Sequence, residues 1–275
     1  NPNVRESFDV ALGQSCPDFD SLFVFCDRLK IRNIRIIKNI LALYKEAREI
    51  LVHKDNEMLS RLGMSLCLMV AAVYRVPGVP TVDYIKDEHK AYAFLFKDKN
   101  EISEEESRAR AFLGHYRFQS FTEIDEIVLG AVRQGYFDVR FLKQWENEEL
   151  EKIKNNRAHD SVRQAWSYFH YSFSHDEDQV IEVIGNEVKG NFQYLGPITI
   201  DNYVGLLRKL NRDAEADHLI DKYIGSEHLS GKDVDWRSMM SITDIQDETL
   251  REKYTSLREK LSLDVPVLGL IEKFK

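Results

Sequence analysis

Residues 121–135, FTEIDEIVLGAVRQG, decide the fold class. Ile124, Ile127, Val128, Ala131 and Val132 follow the i, i+3, i+4, i+7, i+8 spacing that lays one apolar stripe along an α-helix. Thr122 stands where an N-cap belongs, and Gly135 stands where a left-handed stop belongs. Working outward, the same periodicity predicts helices over residues 18–30 and 33–53 and a nearly all-apolar one over 57–76, which pack as a first bundle. Ser103 followed by Glu104, Glu105 and Glu106 predicts an N-cap and an acidic first turn for a helix running to about Phe118.

Pro77-Gly78-Val79-Pro80 stops the helix before it, because two proline rings fix φ and remove donors. Residues 81–96, with Tyr84, Tyr92, Phe94 and Phe96, read as a short strand or an irregular aromatic plug. Downstream, amphipathic helices are expected over 139–154, 160–173, 176–189, 200–210 and 213–224, then a loop over 225–244 and a charged helix over 247–261. The expected fold is all-α, a helical bundle followed by an irregular α-solenoid-like array of helix pairs. The division runs 1–76 bundle, 77–120 linker and aromatic segment with one helix, and 121–275 C-terminal array. No fixed repeat period is present.

Of 275 residues, 43% are hydrophobic and 31% charged, with 13 Gly and 6 Pro, which fits a folded helical chain rather than a disordered one. The net charge of −8 disfavours general affinity for nucleic acid or an anionic membrane, so any anion site must be local. Cys16, Cys26 and Cys67 lie on apolar helical patterns and read as reduced thiols in a core, which fits a cytoplasmic setting. The longest apolar stretch, 64–76, is shorter than the roughly 20 residues a bilayer needs and reads as a buried helix. The opening Asn1-Pro2, with no Met, basic segment or apolar signal core, leads to the expectation of sequence upstream.

Several catalytic patterns fail on their own chemistry. A P-loop needs Gly, four residues, Gly-Lys and a hydroxyl; residues 225–233, GSEHLSGKD, have one residue too many and Asp233 in the hydroxyl's place. His159-Asp160, His175-Asp176 and His115 are nominal ligands of a metal-dependent hydrolase, but Asp160 and Asp176 sit where helices are expected to begin and read as caps. The cysteines lack paired zinc spacing, and no nucleophilic triad is present. One pattern stays open as an alternative reading: Arg163 to His170 is similar to the Arg–His pair of helical HEPN ribonucleases, which implies a self-contained ribonuclease acting through these two residues. The pattern, Arg and then His after four to six residues, recurs at Arg110–His115, Arg48–His53 and Arg212–His218, and Gln164 stands where that family has a small polar residue. A scaffold without chemistry, using Trp145, Trp166, Tyr168 and Tyr171, is the third reading; their burial tendency places those aromatics in a core.

One segment differs in charge from the rest. Arg28, Lys30, Arg32, Arg35 and Lys38 follow one another with no acidic residue among them, at the start of a helix. Cations there oppose the helix dipole unless an anion or acidic partner is present, or unless Asp27 and Glu46 balance them. The string Asn33-Ile34-Arg35-Ile36-Ile37-Lys38-Asn39-Ile40-Leu41, with Tyr44 one turn on, resembles the lid helix of P-loop ATPases of the KAP and STAND-like groups. That resemblance implies that Arg35 senses the γ-phosphate of a bound nucleotide, with Lys38 and Arg32 as secondary contacts. Residues 121–142 and 198–224 resemble the helical C-terminal extensions of such bacterial proteins, some linked to phage defence. ATP and Mg would then belong to an upstream core, and this chain would have no activity by itself. It would bind that core or other subunits, form a homo-oligomer, and engage neither membrane nor nucleic acid.

Overall fold

A computed structural model describes residues 3–13, 19–87, 103–171, 177–226, 229 and 244–263; side chains are described for these except at 168–171, 177, 180 and 261–263. Among the described residues there are twelve α-helices and no strand, so the fold is all-α. The chain forms two compact units, Asn1–Ile153 and Lys154–Lys275.

The first unit is built around α4 (Asn56–Val73). Twelve of its eighteen residues are buried, because α2 (Asp20–Arg28), α3 (Ile34–Ile50) and α7 (Glu123–Gln134) all pack on it. A helix covered on several sides must be apolar on all of them, which the run Leu66-Cys67-Leu68-Met69-Val70-Ala71-Ala72 supplies. By length and composition α4 could also cross a membrane, but its apolar surface is spent here on its neighbours. Within residues 121–135 α7 forms where the spacing predicts a helix: Ile124, Val128, Ala131 and Val132 of the expected stripe are buried, Ile127 is half-buried, Leu129 is buried beside them, and Gly135 closes the helix at φ 88°. They enter the same core as α3 and α4.

Around that centre lie α1 (Val4–Leu12), packed on α3, and α5 (Val82–Lys86). The sequence reading has no helix at α1, although Asn3 and Glu6 form a reciprocal capping box there. Of 81–96, residues 82–86 are helical, and the rest of the expected strand or plug from 88 onward lies outside the described residues. α6 (Glu104–Tyr116) starts on the expected Ser103 cap. It is tied to α4 by the Tyr116 hydroxyl, which donates to the Met64 carbonyl at 2.8 Å. Cys26 and Cys67 are free and fully buried with Sγ atoms 3.9 Å apart, too far for a bond of about 2.05 Å. Burial pushes the Cys67 thiol well up, so it stays protonated. Cys16 lies outside the described residues.

Two expected helices, 139–154 and 160–173, are one: α8 (Val139–Tyr171) runs 33 residues. Lys154, Asn155, Asn156 and Arg157 are all exposed, a full turn without a buried side chain, so the apolar pattern lapses where the backbone does not. No Pro or Gly stands there to end it. Asp160 is therefore inside a helix and caps nothing.

In the second unit α9 (Glu177–Gly190), α10 (Pro197–Lys209), α11 (Asp213–Ile224) and α12 (Glu248–Leu263) pack each on the next. Polar clamps set each step. The Tyr203 hydroxyl donates to the Ile181 carbonyl at 2.8 Å, joining α10 to α9. The Tyr223 hydroxyl donates to the Leu195 carbonyl at 3.0 Å. Buried Asp201 accepts the amides of Gln246 and Asp247 at 3.0 and 2.8 Å, fixing the entry to α12.

Candidate anion-binding corner

Asn33 caps α3, its Oδ1 accepting the Arg35 amide at 2.9 Å. The helix has no acidic residue in its first turn. Ile36, Ile37 and Ile40 turn into the core, which sends Arg32, Arg35 and Lys38 to the exposed side. None of the three side chains has an ion pair or hydrogen bond to another described residue. Of the two acids near the cluster, Asp27 offsets only Lys30 and Glu46 turns away. Asp27 lies 3.5 Å from Lys30, and Glu46 accepts the Phe137 amide at 3.1 Å, three turns along α3.

The end of α4 meets this part of α3. Asn39 Nδ2 donates to the Tyr74 hydroxyl at 3.0 Å, which brings the C-terminus of α4 beside the second turn of α3. Arg75, next in the chain, is exposed in a left-handed turn at φ 53°. Residues 58–82 contain no acid, a signal visible in the sequence, but their nearness to α3 is not.

The other candidates are dispersed or committed. Arg163 pairs with Asp160 on its own helix, and the side chain of His170 lies outside the described residues, as do those of Tyr168 and Tyr171. Arg212 pairs with Asp178 and Glu215, and Arg48 stacks over Phe19 and Tyr44. His115 and His159 are exposed, while His175 and Asp176 lie outside the described residues. No group of three or more metal-ligating side chains occurs among the described residues. Residues 225–226 follow α11 as a turn; 227–228 and 230–233 lie outside the described residues. Trp145 is buried in the first core, and Trp166 packs on the second.

A second polar cluster, which the sequence reading missed, crosses the first unit. Glu146 and Glu149 on α8 are 2% and 4% exposed, burial that costs several kcal/mol per charge unless each is paired. Glu146 Oε1 accepts the His53 amide at 2.6 Å and lies 3.2 Å from His53 Nδ1. Arg61 on α4 donates to Glu149 Oε1; Glu149 Oε2 has no hydrogen-bond partner, with Lys152 Nζ 3.9 Å away. One turn on from Arg61, the Ser65 hydroxyl donates to Asp125 Oδ1 at 2.6 Å. Asp125 Oδ2 accepts from both the amide and the hydroxyl of Thr122 at 2.8 Å. Burial nevertheless holds the Asp125 carboxyl above its ordinary range. Comparison of the chain with protein-family models, with curated proteins and with solved structures finds no match.

Proposed function

We propose that this chain is a helical lid and partner-binding module acting with a P-loop nucleotide-binding core, and that Arg35, flanked by Arg32 and Lys38, is the side chain that meets the nucleotide's phosphates. The supporting observation is incomplete internal compensation: Asp27 offsets Lys30 alone and Glu46 turns to Phe137, leaving Arg32, Arg35 and Lys38 as three exposed cations around the positive end of α3. Cations in a helix's first turn each cost about 0.3–1 kcal/mol against the dipole, and an anion placed there reverses the sign. In this division of labour the core holds the nucleotide and its metal, and the lid contributes positive charge to the γ-phosphate. The helical array mediates oligomerisation or partner recognition in a cytoplasmic, phage-defence setting.

The test is an amide-resolved NMR titration of the chain with MgATP. Resonances of residues 33–38 should shift at millimolar nucleotide, and Arg35→Glu should remove most of the response while the circular dichroism spectrum is unchanged. Resonances that stay fixed, or a response indifferent to Arg35→Glu, would overturn the assignment.

A further inference from the structure

The first unit contains a polar cavity of about 340 Å³ between α4 and the 117–122 connection that leads into α7. Arg61, Ser65, Arg117, Gln119, Ser120 and Asp125 line it, with Met64, Phe118 and Ile124 as apolar wall. Its hydrogen-bonding capacity is lopsided. The carboxylate of Asp125 already accepts from three donors, Ser65 Oγ, Thr122 N and Thr122 Oγ1. The Ser65 hydroxyl is spent on that bond. Arg61 uses one nitrogen on buried Glu149, an anchor that holds its guanidinium in place, and has no other hydrogen-bond partner among the described residues. Arg117 and the side chains of Gln119 and Ser120 have none.

What the cavity offers a visitor is therefore two guanidiniums with open donors, an amide, a hydroxyl and a short apolar wall. A guanidinium's planar fork matches carboxylate and phosphate oxygens, and this volume lies at the lower end of that of small-molecule sites. We propose that this cavity is a binding site for a small organic oxyanion, a carboxylate or a phosphate monoester, whose charged head sits between Arg61 and Arg117 and whose apolar body lies on Met64, Phe118 and Ile124. A cation has no counterpart there, because the cavity's acid faces its own cap, and a wholly apolar ligand would leave the open guanidinium donors unmet. The site is separate from the α3 corner and does not depend on the reading of that corner.

Three probes distinguish the sources of the anion: phenyl phosphate, benzoate and inorganic phosphate, each titrated into the intact chain with amide resonances followed by NMR. Both organic anions should move Ser65, Gln119, Ser120 and Thr122 and bind at least about tenfold more tightly than inorganic phosphate. Arg117→Gln, at an exposed position outside the core, should weaken them about tenfold with an unchanged melting curve, and Arg35→Glu should leave them unaffected. The proposal is overturned if these resonances do not respond to any probe, if inorganic phosphate binds as well as the organic anions, or if affinity survives Arg117→Gln.

Discussion

Arg208 and Arg35 are both arginines in terminal turns of helices, and their surroundings are opposite. Arg208 lies in the last turn of α10, where the dipole favours it, and meets Asp247 at 2.9 Å, Asp217 at 2.7 Å and Asp213 at 3.2 Å. The hydrogen bonds it donates to Asp247 and Asp217 push its pKa further up. Asp247 responds in the other sense: burial raises its carboxyl, but the bonds from Arg208 and the Leu250 amide outweigh burial and leave it below the usual value. A carboxyl with a lowered folded-state pKa contributes stability above its unfolded value, near 4, and loses it as pH falls through the folded value. Arg208→Met, which keeps the stem and deletes the charge, should cost the second unit about 1–3 kcal/mol at neutral pH in urea unfolding. That difference should shrink below pH ~4 as Asp247 protonates. A cost independent of pH would show that the stem, not the charge, matters. Asp125 runs the opposite way: with its pKa raised by burial, its contribution is present at acid pH and fades as pH rises through the folded value.

At the scale of elements, Gly185 in α9 separates propensity from packing. An alanine in a helix is favoured over glycine by about 1 kcal/mol. Here the added Cβ would collide with the Tyr203 hydroxyl, the group that donates to the Ile181 carbonyl. Overpacking costs about 1–3 kcal/mol and a lost buried hydrogen bond about as much again, so the steric term wins. Gly185→Ala should be destabilising by about 1–3 kcal/mol in chemical denaturation; a stabilised variant would mean that Tyr203 moves aside freely. Burial holds the Tyr203 hydroxyl up to about 12, so its readiness to donate does not change across ordinary pH. Helix starts with Ser103 and Thr122 were legible, because a cap and its acid are three residues apart. The ends expected at 30, 76, 118 and 210 lie within three residues of those observed at Arg28, Val73, Tyr116 and Lys209. The left-handed closure just past them was not legible: Lys30, Arg75, Arg117 and Asn211 take the conformation that Gly135 advertised, and the basic ones are residue types that carry no such signal.

For the whole molecule, the division into units falls inside a helix rather than in a loop. Asn156→Pro would place a ring in the exposed turn of α8, where it removes a backbone donor and costs the helix about 3 kcal/mol locally. Limited trypsin digestion should then cut at Lys154 or Arg157 and leave two fragments that keep most of their helical signal, since each unit has its own core. Rapid loss of both fragments would show that neither core stands alone. Periodicity, caps and the Pro77–Pro80 break depend on neighbours within a turn or two, so the helical class, the place of most helices and the crowding of basic residues at the start of α3 all follow from local sequence. Which of those charges are free was decided only by tertiary structure. Asp27 and Glu46 stand beside the cluster in the chain, yet Glu46 turns to Phe137, 91 residues away. The Arg61–Glu149 and Ser65–Asp125 pairs close over 88 and 60 residues, so the cavity at Arg117 exists only once α4, α7 and α8 have packed and burial has forced each carboxylate to find its donor.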